Sequence, residues 1–215
     1  MTTDIADIEF VVRVIAETAV KNETYFGELD SVVGDGDFGY SLARGFEIVI
    51  EQWDSLDRTD SGAFLQRVAM IIAGRIGGTS GPLWGTAFLR ASMVAKQHEV
   101  LDGAANVEML TGAIDGIKVR GGAEVGEKTL LDALVPVRDT VAELIAQGAG
   151  AQAVLDAAAA TARSAADATA ALQARRGRAS YTGERSIGSP YAGAVAVAVP
   201  AEQIAARWPE REAAR

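Results

Sequence analysis

Three carboxylates cluster in the segment Leu29–Ser41, which reads LDSVVGDGDFGYS. Asp30, Asp35 and Asp37 fall within eight residues, and like charges this close repel one another. Carboxylate oxygens are the hard ligands that Mg²⁺ and Ca²⁺ prefer, so a bound divalent cation would remove the repulsion. The three glycines in the same segment allow the sharp turns that bring such ligands together. The segment therefore predicts a metal site.

Other interpretations of this segment explain less. An EF-hand needs D-x-[DN]-x-[DN]-G with a glutamate at position 12, and the match fails beyond Asp35 and Asp37. The stretch GDGDFG also has the G-x-G-x-x-G spacing of a dinucleotide loop, but two aspartates would face the pyrophosphate and no βαβ pattern follows. A polar turn that caps a helix at Ser41 remains the plain alternative, and it leaves the repulsion unexplained.

Three further glycine-rich segments carry groups that bind anions. The stretch GGTSGP, residues 77–82, precedes an apolar helix, and a helix N-terminus binds phosphate, although an ordinary capped turn is the alternative. In RGGAEVGEKT, Lys128 is either a phosphate contact or a solvated residue, and we expect Thr129 to cap the next helix. The segment 175–193 contains Arg175, Arg176, Arg178 and Arg185, and we expect at least one phosphate contact in an otherwise solvated basic loop.

The apolar residues recur with helical spacing through almost the whole chain. Residues 151–174 are rich in alanine, which favours a helix, and we interpret AVAVAVPAEQIAARW as a last helix disturbed by Pro200. The pattern predicts an all-α fold of about eight helices in a single domain over residues 1–215. Because odd-numbered connections of an up-and-down bundle share one end, and the first, third, fifth and seventh are the glycine-rich ones, we expect one site at one rim.

The composition excludes several classes of function. The net charge of −9 and the pI of about 4.7 argue against nucleic-acid binding. The chain has no cysteine and a single histidine, His98, which we expect in a solvated connection, so the sequence argues against a Ser-His-Asp triad. We find no signal peptide and no apolar run long enough to span a membrane, and we expect a cytoplasmic protein.

Four motifs in the order GDGDFGYSLARGF, GGTSGPLWGTAF, GEKTLLDAL and GRASYTGERSIG resemble the nucleotide-binding L subunit of dihydroxyacetone kinases, the DhaL or Dak2-domain family. The resemblance runs from about residue 5 to residue 207. It implies an eight-helix antiparallel barrel with the nucleotide at one rim and two Mg²⁺ ions on Asp30, Asp35 and Asp37. Arg178 would be catalytic and would approach the phosphates. The implied nucleotide contacts are Phe38, Gly39, Tyr40, Ser41, Thr79, Ser80, Gly121, Leu130, Arg178 and Gly193.

The resemblance also implies partners. A separate K subunit would hold a short ketose. This chain would bind ADP or ATP and transfer a phosphoryl group from the nucleotide to that ketose. The donor would be ATP or a phosphotransferase-system protein that rephosphorylates bound ADP, and a homodimer is left open. The chain departs from the family pattern at Phe38, Tyr40, Ser41 and the stretch Tyr191–Gly193. The alternatives are therefore a catalytically weakened nucleotide-sensing module, or a kinase head for another acceptor such as an acyl group on a lipid carrier.

Overall fold

The computed structural model describes residues 2–214, which form nine α-helices, three short 3₁₀ segments and two very short strands. The strands are β1 (Thr2–Thr3) and β2 (Leu101–Asp102). The helices are α1 (Ile5–Lys21), α2 (Glu23–Ser31), α3 (Phe38–Glu51), α4 (Ser61–Arg75), α5 (Ser80–Ala95), α6 (Gly103–Gly121), α7 (Leu131–Ala146), α8 (Ala151–Ala168) and α9 (Ala192–Ala213). The 3₁₀ segments are Trp53–Ser55, Thr169–Ala171 and Arg178–Ser186.

The eight long helices close into a ring. Each long helix packs against the next one along the chain, from α1 and α3 through to α8 and α9, and α9 returns to pack against α1. Because helices that follow one another along the chain pack side by side, the arrangement is up-and-down. The predicted all-α fold is confirmed, and so is the prediction that the last segment, which contains Pro200, is a helix.

The short helix α2 was not predicted. It follows α1 after a break at Asn22, and it packs against α3 and α9. Its one buried side chain is Phe26, so it lacks the apolar stripe that a periodicity search detects. As a result, Asp30 lies near the end of a helix rather than in a loop.

Aromatic side chains fill the centre of the ring. Phe26, Phe46 and Phe64 are fully buried in the main apolar cluster. Phe46 meets the rings of Trp84 and Phe88 edge to face, with centroids 6.3 and 6.4 Å apart, which is a favoured aromatic arrangement. This core fixes α3 against α5, the two helices whose first turns border the predicted site.

The plain connections gather at the end of the ring opposite the glycine-rich ones. There β1 pairs antiparallel with β2, with Thr2 opposite Asp102. Arg211, near the end of α9, forms an ion pair with Asp4 at 2.9 Å. His98 lies in the α5–α6 connection and contacts Glu108 at 2.9 Å, far from the acidic cluster. None of the helices within residues 2–214 has the length and apolar character needed to cross a membrane.

Candidate functional site

The three predicted metal ligands lie together at one rim of the ring. Asp30 comes from the last turn of α2, Asp35 from the connection that follows, and Asp37 from the residue before α3. One carboxylate oxygen from each lies within 4.8 Å of the others. The N–H of Gly36 donates to Asp30 Oδ2 at 3.0 Å, and a Cβ at Gly34 would lie only 2.5 Å from Asp30 Oδ1. The connection thus folds closely over the Asp30 carboxylate, and a side chain at position 34 would displace it.

One arginine partly neutralises this cluster. Arg178, from the α8–α9 connection, donates to Asp37 Oδ1 at 2.7 Å and also contacts Asp35 Oδ2. Burial raises the pKa of Asp37, and the neighbouring charge of Asp30 raises it further. Arg178 therefore pairs with two of the three carboxylates. All the candidate ligand atoms are hard oxygens, so this donor set fits Mg²⁺.

The glycine-rich start of α5 forms the opposite wall of the site. Gly78 has φ of +63°, a conformation that glycine adopts without strain, and a Cβ there would lie 3.8 Å from Arg178 Nη2. The neighbouring Gly77 lies beside Ser41, since its Cβ would be 3.3 Å from Ser41 Oγ. Thr79 precedes the helix, and its side chain does not cap it. The first amides of α5 thus border the cavity without a side-chain cap, as suits an anion site.

These walls border a cavity of about 60 Å³. The predicted residues that line it are Asp30, Asp37, Phe38, Ser41, Thr79, Ser80, Arg178 and Gly193. Asp35 adjoins it through Arg178. The cavity is also lined by residues that were not among the implied nucleotide contacts, although most lie in segments that the sequence analysis singled out; they are Gly77, Gly78, Arg176, Gly177, Ala179, Tyr191 and Ala192.

Tyr191 is the most notable of these additional residues. Its ring lies directly over Gly193, where an added Cβ would come within 2.5 Å of the ring. Burial raises the pKa of Tyr191 to about 12, and the charge of Asp30 contributes to the shift. The tyrosine is therefore a neutral hydroxyl beside the acidic cluster. From the sequence, Tyr191 was noted as a departure from the family pattern but was not placed among the nucleotide contacts.

Four predicted nucleotide contacts do not line the cavity. Gly39 packs against α2, where a Cβ would lie 2.0 Å from the carbonyl oxygen of Glu23. Tyr40 is 59% exposed, and the Arg44 guanidinium lies 5.1 Å from its ring centroid. The other two, Gly121 and Leu130, lie beside the α6–α7 connection. Leu130 is buried in a second apolar cluster. A role for these four residues in nucleotide binding stays a prediction.

Both alternatives predicted for Lys128 were wrong, because it neither faces solvent nor lines the cavity. It is 1% exposed, and Nζ donates to the carbonyl oxygens of Leu172 at 3.2 Å, Ser186 at 2.6 Å and Ser189 at 2.7 Å. Burial lowers the pKa of its ammonium group. The sequence could not reveal this role, because the acceptors are backbone atoms 44 to 61 residues away.

The predicted cap at Thr129 is displaced by one residue, because the N-cap of α7 is Leu130, which has no side-chain cap hydrogen bond. Thr129 Oγ1 accepts from the N–H of Leu131 at 3.2 Å, and Asp132 Oδ2 accepts from the N–H of Thr129 at 2.6 Å. Each side chain thus satisfies a backbone donor beside the start of α7. These two hydrogen bonds fix the backbone next to Lys128.

The closed ring of helices with three aspartates at one rim defines an all-α domain with an acidic, anion-facing end. Comparison with known families identifies the group to which it belongs: the DAK2 domain matches residues 32–206, and the chain is a member of the DAK2 domain family.

The relatives include separate subunits and longer kinases. The chain is 38% identical over 181 residues to the ADP-binding subunit DhaL of the PEP-dependent dihydroxyacetone kinase of Escherichia coli, covering 84% of this chain and 86% of that protein. It is 37% identical over 199 residues to L-erythrulose 1-kinase of Mycolicibacterium smegmatis, covering 90% of this chain but 34% of that protein. The crystal structure of the dihydroxyacetone kinase from C. freundii in complex with AMP-PNP and Mg²⁺ shares the fold, with a TM-score of 0.76 and 24% identity over 96% of this chain and 34% of that one.

Proposed function

We propose that this chain is the nucleotide-binding subunit of a kinase that phosphorylates a short ketose. It would bind ADP or ATP with Mg²⁺, while a separate K subunit holds the ketose. The observation that carries the proposal is the meeting of three carboxylates, Arg178 and the glycine-rich start of α5 at one cavity. The ADP-binding DhaL subunit of Escherichia coli, which aligns over most of both chains, supports it.

Asp30, Asp35 and Asp37 would hold the metal, for which the family resemblance implies two ions. Bound Mg²⁺ would offset phosphate charge and polarise the phosphorus–oxygen bond. Arg178 would exchange its carboxylate partners for phosphate oxygens, since a guanidinium binds either group through the same paired N–H donors. Arg178 would then stabilise the charge that develops on the transferring group, which is the catalytic role proposed for it.

The bond changes are those of a direct phosphoryl transfer. The bond between the γ-phosphorus and the β–γ bridging oxygen breaks, and a hydroxyl oxygen of the ketose forms the new bond to phosphorus. The electron pair of the broken bond stays on the nucleoside diphosphate, and the hydroxyl proton leaves to a base outside this chain. The aspartates would be engaged with metal, so this chain contributes positioning and charge rather than a general base.

The nucleotide would lie across the rim rather than inside an enclosed pocket, because the cavity of about 60 Å³ is small beside the roughly 300–1,000 Å³ typical of ligand pockets. Phe38, Ser41, Thr79, Ser80 and Gly193 would contact the phosphate-bearing end. A nucleotide that extended towards the α6–α7 connection would approach Gly121 and Leu130, and the contacts at Gly39 and Tyr40 would be made from the first turn of α3.

Calorimetric titration tests the nucleotide site. The chain, first stripped with EDTA, is titrated with ADP and with ATP, each with and without Mg²⁺. We expect binding that requires Mg²⁺ and that weakens at least tenfold in Asp35→Asn. The matched control is Asp54→Asn, which removes an exposed carboxylate from the plain α3–α4 connection. Binding that ignores Mg²⁺, or that is equal in the wild type and Asp35→Asn, would contradict the proposal.

Turnover with a ketose-binding subunit tests the chemistry. We expect phosphate to reach dihydroxyacetone or erythrulose when the chain, Mg²⁺, nucleotide and K subunit are combined. Nucleotide that binds without any transfer would instead favour the sensing module.

To identify the donor, the ADP complex is passed through gel filtration. ADP that stays bound favours a donor protein, while rapid loss favours exchange with ATP. The elution volume also decides between a monomer and a homodimer.

A further inference from the structure

The connection that carries Arg178 is folded around a buried positive charge. Lys128 reaches from the α6–α7 connection, and its ammonium donates to one carbonyl at the start of the α8–α9 connection and to two near its end. Three acceptors match the three N–H donors of an ammonium group. No carboxylate is among these acceptors, so the backbone carbonyl dipoles alone satisfy the charge.

The backbone at Lys128 is itself unusual. Its φ is +61°, and it is the one non-glycine residue with positive φ among residues 2–214. This conformation is uncommon for residues with a side chain, and it persists where the surroundings compensate for it. Asp132 holds the backbone on both sides, since its carboxylate accepts from the N–H groups of Gly126 and Thr129. The strained position therefore points the lysine inward.

Neighbouring contacts tie the same two connections together. The N–H of Arg175 donates to the carbonyl of Glu127 at 3.1 Å, and the Glu127 carboxylate pairs with Arg176 at 2.7 and 3.0 Å. Beyond them, Ala174 and Ala179 pack on Val33, three residues after Asp30. Arg178 thus lies between an anchor at Lys128 and a contact with the acidic segment.

We propose that Lys128 is a positioning residue for the phosphotransfer site: its buried ammonium holds both ends of the α8–α9 connection, and thereby holds Arg178 at the carboxylates. This inference rests on the proposed function for its catalytic consequence. The anchoring itself can be tested without activity. Lys128 would act through Arg178 and would not contact the nucleotide.

Limited trypsin digestion of the folded chain tests the anchoring. The α8–α9 connection contains four arginines, so its release creates cleavage sites that mass spectrometry can locate. In Lys128→Met we expect cleavage within residues 173–189 to be at least tenfold faster than in the wild type. Lys96→Met, at the opposite end of the ring, is the matched control and should leave the rate unchanged. Unchanged cleavage in Lys128→Met, or cleavage that rises equally along the whole chain, would overturn the proposal.

A double-mutant comparison tests whether Lys128 acts through Arg178. The affinity for ADP with Mg²⁺ is measured in Lys128→Met, Arg178→Ala and the double variant. We expect the double variant to bind no more weakly than Arg178→Ala alone. If Lys128 affects affinity only by positioning the Arg178 guanidinium, its loss has no further effect once that guanidinium is absent. Losses that multiply would overturn the positioning role. If the wild type binds no nucleotide, the proposed function fails, while the digestion result still decides the anchoring.

Chemical rescue separates charge from packing. Because the chain contains no cysteine, Lys128→Cys carries a single thiol, which can be alkylated with bromoethylamine under unfolding conditions before refolding. The product restores an ammonium at nearly the length of lysine, whereas alkylation with bromoethane adds a neutral group of similar length. We expect the first product to recover resistance in residues 173–189 and the second to remain sensitive. Equal behaviour of the two products would show that the charge is not what holds the connection.

Discussion

Replacing Gly39 with alanine tests whether this glycine serves the packing of α2 on α3. The added Cβ would lie 2.0 Å from the carbonyl oxygen of Glu23 and 2.5 Å from the amide nitrogen of Gly27. Both are backbone atoms, so no side-chain rotation relieves the contact. Since real Cβ atoms keep about 3.0 Å from such neighbours, the two helices must part by about 1 Å.

The magnitude follows from two opposing effects. Overpacking of a tight interface costs about 1–3 kcal/mol, and a contact with backbone belongs at the upper end of that range. Alanine is better than glycine in a helix by at most about 1 kcal/mol. We therefore expect Gly39→Ala to lose about 2 kcal/mol, which for a chain of this size lowers Tm by about 4–8 °C. Because α2 carries Asp30 and α3 follows Asp37, Mg²⁺-dependent nucleotide affinity should fall as well.

Thermal and urea unfolding followed by circular dichroism measure this change. The control is Gly74→Ala in α4, where an added Cβ meets nothing within 4 Å. This variant gains only the helix propensity of alanine and should be stabilised by up to about 1 kcal/mol. A Gly39→Ala protein as stable as the wild type, beside a stabilised Gly74→Ala protein, would refute the packing argument.

Three further predictions concern single side chains. Leu130→Ala should lower the free energy of unfolding by about 2–4 kcal/mol in urea, because Leu130 is buried in an apolar cluster; a loss below about 1 kcal/mol would contradict this. Burial pushes the pKa of Glu17 upward, but hydrogen bonds from Arg207 and Arg13 outweigh it and leave the pKa below its ordinary value. The stabilisation by Glu17 is therefore present above about pH 4.3 and lost as the pH falls through the lower folded-state pKa, so Glu17→Gln should show a smaller fall in Tm between pH 6 and pH 3.5 than the wild type. Tyr181→Ser should change the free energy of unfolding by less than about 0.5 kcal/mol, since the ring is 89% exposed; a larger loss in urea unfolding would reveal a contact that the fold does not show.

The sequence predicted those parts of the molecule that depend on local pattern. Apolar periodicity was enough for the long helices, and the alternation of plain and glycine-rich connections correctly indicated that glycine-rich connections meet, since three of the four line one cavity. It could not predict α2, because the break at Asn22 involves neither glycine nor proline and the helix buries one side chain. Nor could it predict β1 and β2, since two residues each are too few to alternate.

Within the site, the sequence predicted which residues could be metal ligands better than it predicted which distant residues contact them. The three aspartates lie within eight residues of the sequence, so a local turn is enough to bring them together. By contrast, the contact between Arg178 and Asp37 joins residues 141 positions apart, and the burial of Lys128 depends on carbonyls from another connection. Such contacts depend on the way separate connections pack, which no spacing along the chain records.

The pairing of β1 with β2, together with the ion pair between Arg211 and Asp4, has a practical consequence for handling the protein. Both features bring the first and last described residues to the end of the ring that is farthest from the acidic cluster. A tag, a fluorophore or a surface linkage attached at this end would thus lie far from the cavity at the rim. Immobilisation at this end should present the acidic cluster of every molecule towards the solution.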